Sequence, residues 1–287
     1  MNSREQGLGF IRTDAELRRL RTSRQRARAA LRAAAIAAAW PFARAAEALR
    51  GPGNALRVVL YHHVFDDQVD GFRRQLGYLG SRFEFTDLDG FLRFHRGEEP
   101  FRGGKLLVTF DDGFKDNLTN ALDVLDEFGV KAVFFVATDF VSLASGDEER
   151  YRSYARDVFH TGGPVENLTW DDLREILRRG HRVGSHTVTH RRMTGLSVEE
   201  AVKELEESRR TLSSRLDVAA TEVSFPYGRE LDRRSDLAVL ARRAGYRACF
   251  SAIRGANRPG GDPYDIRRDA LDPSWPLVQV KFFLSRR

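Results

Sequence analysis

Thr109-Phe-Asp-Asp-Gly113 sets two carboxylates side by side at the end of an apolar run, Lys105-Leu-Leu-Val-Thr-Phe110. Neighbouring side chains of a β-strand point to opposite faces, so adjacent acids can serve one site only where the strand ends and the chain turns. Gly113 supplies that turn. Two carboxylates at the rim of a buried strand repel one another and lose hydration, which makes a cation the natural partner of at least one. Taken alone, Asp-Asp-Gly reads as an ordinary turn with solvated acids.

A second constellation lies in Gly184-Ser-His-Thr-Val-Thr-His190, again directly after an apolar segment. On a helix a four-residue spacing puts two imidazoles on one face, as in His-Glu-x-x-His zinc sites. Here Thr187, Val188 and Thr189 supply no Glu and their β-branching disfavours helix, so a loop or a single tight turn is expected. With Asp112, His186 and His190 make one oxygen and two nitrogens, the ligand set of a catalytic zinc that keeps a position open for water. A third stretch, Ser224-Phe-Pro-Tyr-Gly228, is by itself only a turn with a packed ring.

The elements that must position these residues alternate along the chain. Strands are expected at Arg57–Tyr61, Lys105–Phe110, Val130–Ala137, His181–Gly184, Glu222–Phe225 and Tyr246–Ser251. Between them, Phe72, Leu76 and Leu79, then Leu118, Leu122 and Leu125, then Leu173, Ile176 and Leu177 recur at helical spacing. Gly129, Gly180 and Gly245 stop helices, and Ser197-Val-Glu-Glu200 is a capping box that opens another. Repeated strand-helix-strand units imply a parallel sheet with right-handed crossovers. His62, Asp111-Asp112, His186 to His190 and Tyr227 each fall just past the C-terminal end of a strand, the edge where such folds assemble their sites. Residues 138–168 read as a long irregular insertion beside that edge, of a length that suits a lid.

Charge is unevenly spread. Residues 1–55 hold 11 Arg/Lys against 4 Asp/Glu, leaving 36 against 37 for residues 56–287, so the net charge of +6 belongs to the N-terminal extension and the body is neutral. No basic groove with interleaved aromatics is present, and nucleic acid is set aside as a partner. The alanine-rich run Ala33–Ala43 is too short and too weakly apolar to span a bilayer; a basic helix on anionic lipid, a cleaved leader or a solvated helical extension each fit it. Gly51-Pro-Gly-Asn54 marks the boundary to the domain of residues 56–287. One cysteine, Cys249, excludes an intrachain disulfide without fixing the compartment. With no convincing export signal, a cytoplasmic or peripheral membrane location is expected.

Three motifs in this order, Thr109-Phe-Asp-Asp-Gly113, Ser185-His-Thr-Val-Thr-His190 and Phe225-Pro-Tyr-Gly228, make residues 56–287 resemble the polysaccharide deacetylase family, the chitooligosaccharide deacetylase homology domain of carbohydrate esterase family four. Tyr61-His-His-Val64 and Trp170-Asp-Asp-Leu173 look like its exopolysaccharide branch. The resemblance implies an α/β fold, a distorted (β/α) barrel with fewer than eight strands, here with a basic N-terminal helical extension. It also implies a metal-dependent hydrolase that removes N-acetyl groups from an N-acetylated carbohydrate. Asp112, His186 and His190 would hold zinc, Zn2+, or another divalent ion such as Co2+; Asp111 would be the general base; Tyr227, beside Pro226, would offer its N–H to the oxyanion.

Two departures from the family pattern stand out. The Arg that commonly precedes the Pro-Tyr turn is replaced by Ser224 or Phe225, and Arg267 or Arg268 is a candidate to orient the base from elsewhere. The late Leu-x-x-His motif is absent from Trp275–Arg287, which leaves His62 as candidate general acid or, equally, as a core histidine. A non-catalytic glycan-binding protein and a two-His-one-carboxylate iron oxygenase are the competing readings.

Overall fold

The computed structural model of the chain describes residues 9–50, 55–144, 146–229 and 236–285. Its centre is a sheet of parallel strands: β1 (Leu56–Tyr61), β2 (Glu84–Phe85), β3 (Lys105–Phe110), β4 (Val133–Val136), β5 (Arg182–Ser185), β6 (Glu222–Ser224), β7 (Ala248–Phe250) and β8 (Asp269–Ala270). The order around the sheet is β7-β6-β5-β4-β3-β1-β8, with β2 attached only to the start of β3. Seven strands therefore form the wall, as the distorted barrel requires.

Closure comes from a stretch with little strand signal of its own. Ile266 bridges Phe250 of β7 in parallel, and three residues later Asp269 pairs with Val59 of β1. The segment 266–270 thus crosses from one end of the sheet to the other and closes the ring.

Every residue of β1, β3 and β4 is buried, and their near-continuous apolar runs reflect burial on both faces. Val59, Tyr61, Leu106, Val108, Phe110 and Phe134 pack outward against Phe72, Leu76, Leu122 and Leu125 of the surrounding helices. Val58, Leu107, Val133, Phe135 and Phe250 form a separate inner cluster. Phe110 stacks on Phe134 with ring centroids 4.9 Å apart, and truncating either to Ala would cost about 3–5 kcal/mol. The alternation places Leu107 and then Thr109 toward the barrel interior, so a further step of two aims Asp111 the same way.

Two sequence expectations change in detail. Residues 138–168 are not irregular throughout: a helix at Glu148–Ser153 continues into a wider helical turn at Tyr154–Val158, over a small core of Phe114, Phe140, Tyr151 and Val165. Its organising residue is buried Asn167, whose amide donates to Phe140 O at 3.0 Å and whose carbonyl accepts from the Tyr151 hydroxyl. The helix expected around Leu118–Phe128 begins as a wide turn at Asn117–Ala121 before Leu122–Glu127. The C-terminal stretch forms a helix, Leu277–Leu284.

The N-terminal segment is ordered by its own caps. Thr13 and Glu16 form a capping box on a helix at Asp14–Leu20, and a second helix, Ser23–Arg50, packs against Leu277–Leu284. The boundary proposed at Gly51–Asn54 lies outside the described residues. Among those described, no helix is long and apolar enough to cross a membrane.

Candidate active site

β3 delivers Asp111 and Asp112 to the rim. The Asp111 N–H still donates to Tyr61 O at 3.0 Å, so the ladder holds to this point; then the backbone turns left-handed, with φ of 78° at Asp112 and 93° at Gly113. Gly113 is required twice over, because a Cβ there would also come within 2.9 Å of Val141 Cγ1. The turn swings Asp112 away from the inward line that Asp111 continues.

Past β5 the chain makes the expected loop rather than a helix, with positive φ at Thr187 (66°) and His190 (58°). His186 Nδ1 donates to Ser224 O at 2.7 Å, which leaves Nε2 with its lone pair toward the site. The Nε2 atoms of His186 and His190 lie 3.3 and 3.1 Å from the same oxygen, Asp112 Oδ1. One ligand atom from each of the three residues falls within 4.8 Å of the other two, all three side chains are buried, and Asp112 Oδ1 has no hydrogen-bond partner. A buried carboxylate oxygen left to two imidazole nitrogens is the donor set of a divalent cation, and the residues fit one. Burial alone would raise the Asp112 pKa, but the His190 and His186 imidazoles facing Oδ1 outweigh it and hold the carboxyl well below its ordinary value.

Asp111 is held by a different group. Arg268 donates from Nη1 to Oδ1 at 2.8 Å and from Nη2 to Oδ2 at 2.7 Å, a two-point fork. Its Nε donates to Ser251 O at 2.7 Å and its Nη2 also to Ser224 Oγ at 2.6 Å, while the Ser224 hydroxyl donates to Asp111 Oδ2 at 3.1 Å. Arg268 is fully buried, so it acts behind the site rather than in the cleft. Of the two candidate arginines, only 268 reaches Asp111: it is fully buried, whereas the next residue on, Asp269, turns to Arg57 at 2.6 Å and Arg267 is partly exposed. Burial opposes ionisation of Asp111, the Arg268 charge overcomes it, and the carboxyl titrates below its usual range.

The remaining predicted residues separate. His62 opens onto the cleft that contains Asp111, Asp112, His186 and His190, and is not a core histidine. Surrounding protein lowers its pKa, the charges of Asp112 and Asp111 oppose that, and cleft water reaching the ring weakens the burial effect. His63 instead stacks between Phe65 and Phe114 and meets Asp116 at 2.7 Å. Tyr227 lines the cleft at φ 64°, its ring 5.2 Å from that of His190 and its hydroxyl donating to Val158 O at 3.2 Å. Pro226 does not reach the cleft: it is buried, has no N–H to donate, and its carbonyl accepts from Gly228.

One residue of the site escaped sequence reasoning. Glu204, on the helix Val198–Leu216, accepts from the N–H groups of Val188 and Thr189 at 2.8 and 2.9 Å and from the Thr189 hydroxyl at 2.5 Å. It thereby fixes the loop between the two histidines. The available signal was an acid on the buried stripe of that helix, beside Ala201, Leu205 and Ser208.

Comparison with known proteins gives a consistent result. A family model described as polysaccharide deacetylase matches residues 98–249. The chain is 29% identical over 160 residues to a chitooligosaccharide deacetylase of Rhizobium leguminosarum bv. trifolii, covering 55% of this chain and 61% of that protein. It is 23% identical over 147 residues to the poly-beta-1,6-N-acetyl-D-glucosamine N-deacetylase of Escherichia coli (strain K12), covering 47% of this chain and 21% of that one. The match thus spans less than two thirds of either relative. The structure of IcaB from Ammonifex degensii superposes with a TM-score of 0.66 at 22% identity, over 80% of this chain and 97% of the other, which shows the fold is shared.

Proposed function

The chain belongs to the polysaccharide deacetylase family, and from that premise we propose that it is a metal-dependent hydrolase that removes the N-acetyl group of an amino sugar in a glycan. The observation that carries this reading is the division of labour between adjacent acids: Asp112 lies against two imidazole nitrogens, while Asp111 is held ionised by Arg268 beside them.

Amide hydrolysis near neutral pH needs an activated water, a stabilised oxyanion and a proton for the departing amine. Asp112, His186 and His190 would hold the divalent ion, zinc or cobalt being the expected choices. Bound there, it supplies Lewis acidity that lowers the pKa of water and polarises a carbonyl. Asp111, kept ionised and oriented, accepts the proton of the attacking water, a role that contributes about 10²–10⁴-fold. Arg268 and Ser224 fix the direction of its lone pairs. The Tyr227 N–H would face the developing oxyanion, where one such donor contributes about 3–4 kcal/mol. His62, on the cleft wall, would pass a proton to the sugar nitrogen as the C–N bond breaks, leaving acetate and a free amine.

The deciding experiment is acetate release from a panel of N-acetylglucosamine oligomers and polymers, with and without a chelator. Release that the chelator abolishes and added Zn2+ or Co2+ restores is the expected result. No acetate from any glycan in the panel would overturn the proposal and favour a non-catalytic glycan-binding protein. The missing arginine and missing late histidine favour that alternative, and the first ground is weakened because Arg268, just before β8, supplies a guanidinium to Asp111.

A further inference from the structure

The cleft is walled in part by residues far outside the stretch that matches the family. Leu17, Leu20, Arg21, Thr22 and Gln25 line it together with the two aspartates and the histidines. They are held there by a series of attachments. Ile11 N–H donates to Pro164 O at 2.9 Å, and a Cβ on Gly163 would come within 3.1 Å of Ile11. One residue later Arg12 O accepts from Asp66 N–H at 3.0 Å, and the Asp67 carboxylate accepts from the N–H groups of Asp14 and Ala15 at 2.8 and 3.1 Å. Leu20 then returns to the insertion, packed so closely that a Cβ on Gly162 would meet it at 3.2 Å. The Phe10 ring adds an edge contact to Tyr151 at 5.0 Å.

Asp66 and Asp67 belong to the loop after β1, and Gly162 to Pro164 to the insertion after β4. The segment therefore runs from the insertion to the β1 loop and back, as a strap across the mouth between them. The cleft it leaves is about 710 Å³, within the roughly 300–1,000 Å³ of small-ligand sites. A glycan that continued in both directions would have to displace the strap. Apolar Leu17 and Leu20 suit the face of a sugar ring, and Arg21, Thr22 and Gln25 suit its hydroxyls.

Building on the deacetylase reading, we propose that residues Phe10–Gln25 set substrate length, so that the enzyme accepts short glycans or the terminal sugar of a longer one and discriminates against internal sugars of a polymer. The test compares kcat/KM for acetate release from N-acetylglucosamine di- and trisaccharides with that from long poly-N-acetylglucosamine, using the full chain. Two variants are run alongside: Asp67→Ala, which removes the acceptor for two strap N–H groups, and Leu17→Ala/Leu20→Ala, which leaves the hydrogen-bonded anchors at Ile11, Arg12, Asp14 and Ala15 but removes the wall. Thermal unfolding and trypsin cleavage in the strap report whether each is folded and whether the strap is released.

The intact protein is expected to favour the short substrates at least tenfold. In either folded variant the polymer-to-oligomer ratio should rise about tenfold, through a lower KM for polymer, because a purely structural role would slow both substrates alike. Equal use of polymer by the intact protein, or a ratio unchanged within twofold in the folded variants, overturns the proposal alone. Absence of acetate release from every substrate by the intact protein overturns the deacetylase reading, and this proposal with it.

Discussion

Arg268 grips both carboxylate oxygens of Asp111, at 2.8 and 2.7 Å, from a position 157 residues further along the chain. The fork does two things at once: it keeps a buried acid ionised, and it points that acid's lone pairs at the space beside the three clustered ligand atoms. Arg268→Lys retains the charge but not the planar fork. Turnover should fall about 10²-fold, with a small loss of stability, since misplacing a reacting group by about 1 Å has that effect. Arg268→Ala strands Asp111 as an unpaired buried charge and should cost about 3–5 kcal/mol in unfolding free energy. Denaturant titration and acetate release separate the two effects; wild-type turnover in the Lys variant would remove the orienting role.

Asp111→Asn and His186→Ala should part company. The first keeps the ligand cluster and should still bind metal while kcat drops about 10²–10⁴-fold. The second loses one of three donors and should not retain metal through dialysis. Metal content by emission spectroscopy, alongside activity, reads both. A metal-free Asp111→Asn protein would mean that the roles of the adjacent acids are misassigned.

Glu204→Gln weakens the anchor of the Val188–Thr189 backbone without touching a ligand. Partners of this outer kind typically change metal affinity 10–100-fold, and a loss in that range is expected. Competition against a chelator of known affinity measures it. An unchanged dissociation constant would show that the loop holds its shape through the Thr138 and Asp139 hydrogen bonds to its other side.

The fold carries its own acid sensitivity at His181. Burial, aided by the Lys131 charge, pushes its pKa down from 6.5 to about 4, and its Nδ1 accepts from Ala132 N–H at 3.1 Å. Between those pH values the unfolded chain takes up a proton that the folded chain refuses. The contribution is therefore full above pH about 6.5 and is lost as pH falls toward 4, amounting to a few kcal/mol at most. Denaturant midpoints across this window should slope downward with acid, and His181→Gln should flatten the slope at this position. An identical slope in the variant would place the sensitivity elsewhere.

Most of the site could be read from the chain because its parts are local. Asp111-Asp112, His186 to His190 and Tyr227 each follow an apolar strand directly, and alternation with a turn residue says that they share an edge. Arg268 was one of two candidates because Ile266-Arg-Arg-Asp269 gives no periodicity; the register of a two-residue strand on β1 decides which arginine faces inward. Barrel closure was hidden for the same reason, since residues 266–270 have too few strand residues to announce a pairing. Pro226 was grouped with Tyr227 on sequence adjacency, yet the turn that exposes Tyr227 buries its neighbour. The path of residues 10–25 depends on side-chain acceptors at Asp66 and Asp67, which carry no signal until the β1 loop is folded.

Four of the six non-glycine residues with left-handed backbone among those described are Asp112, Thr187, His190 and Tyr227. Each such conformation costs about 1–3 kcal/mol where it is strained, and a β-branched residue such as Thr187 is poorly suited to it. Robustness and chemistry are therefore in opposition along this rim. Glycine at Asp217, a left-handed helix end away from the cleft, should harden the enzyme toward heat without touching its rate. Glycine at Thr187 should relieve the same kind of tension but free the histidine loop to wander, so thermostability selected at that position would be expected to erode turnover.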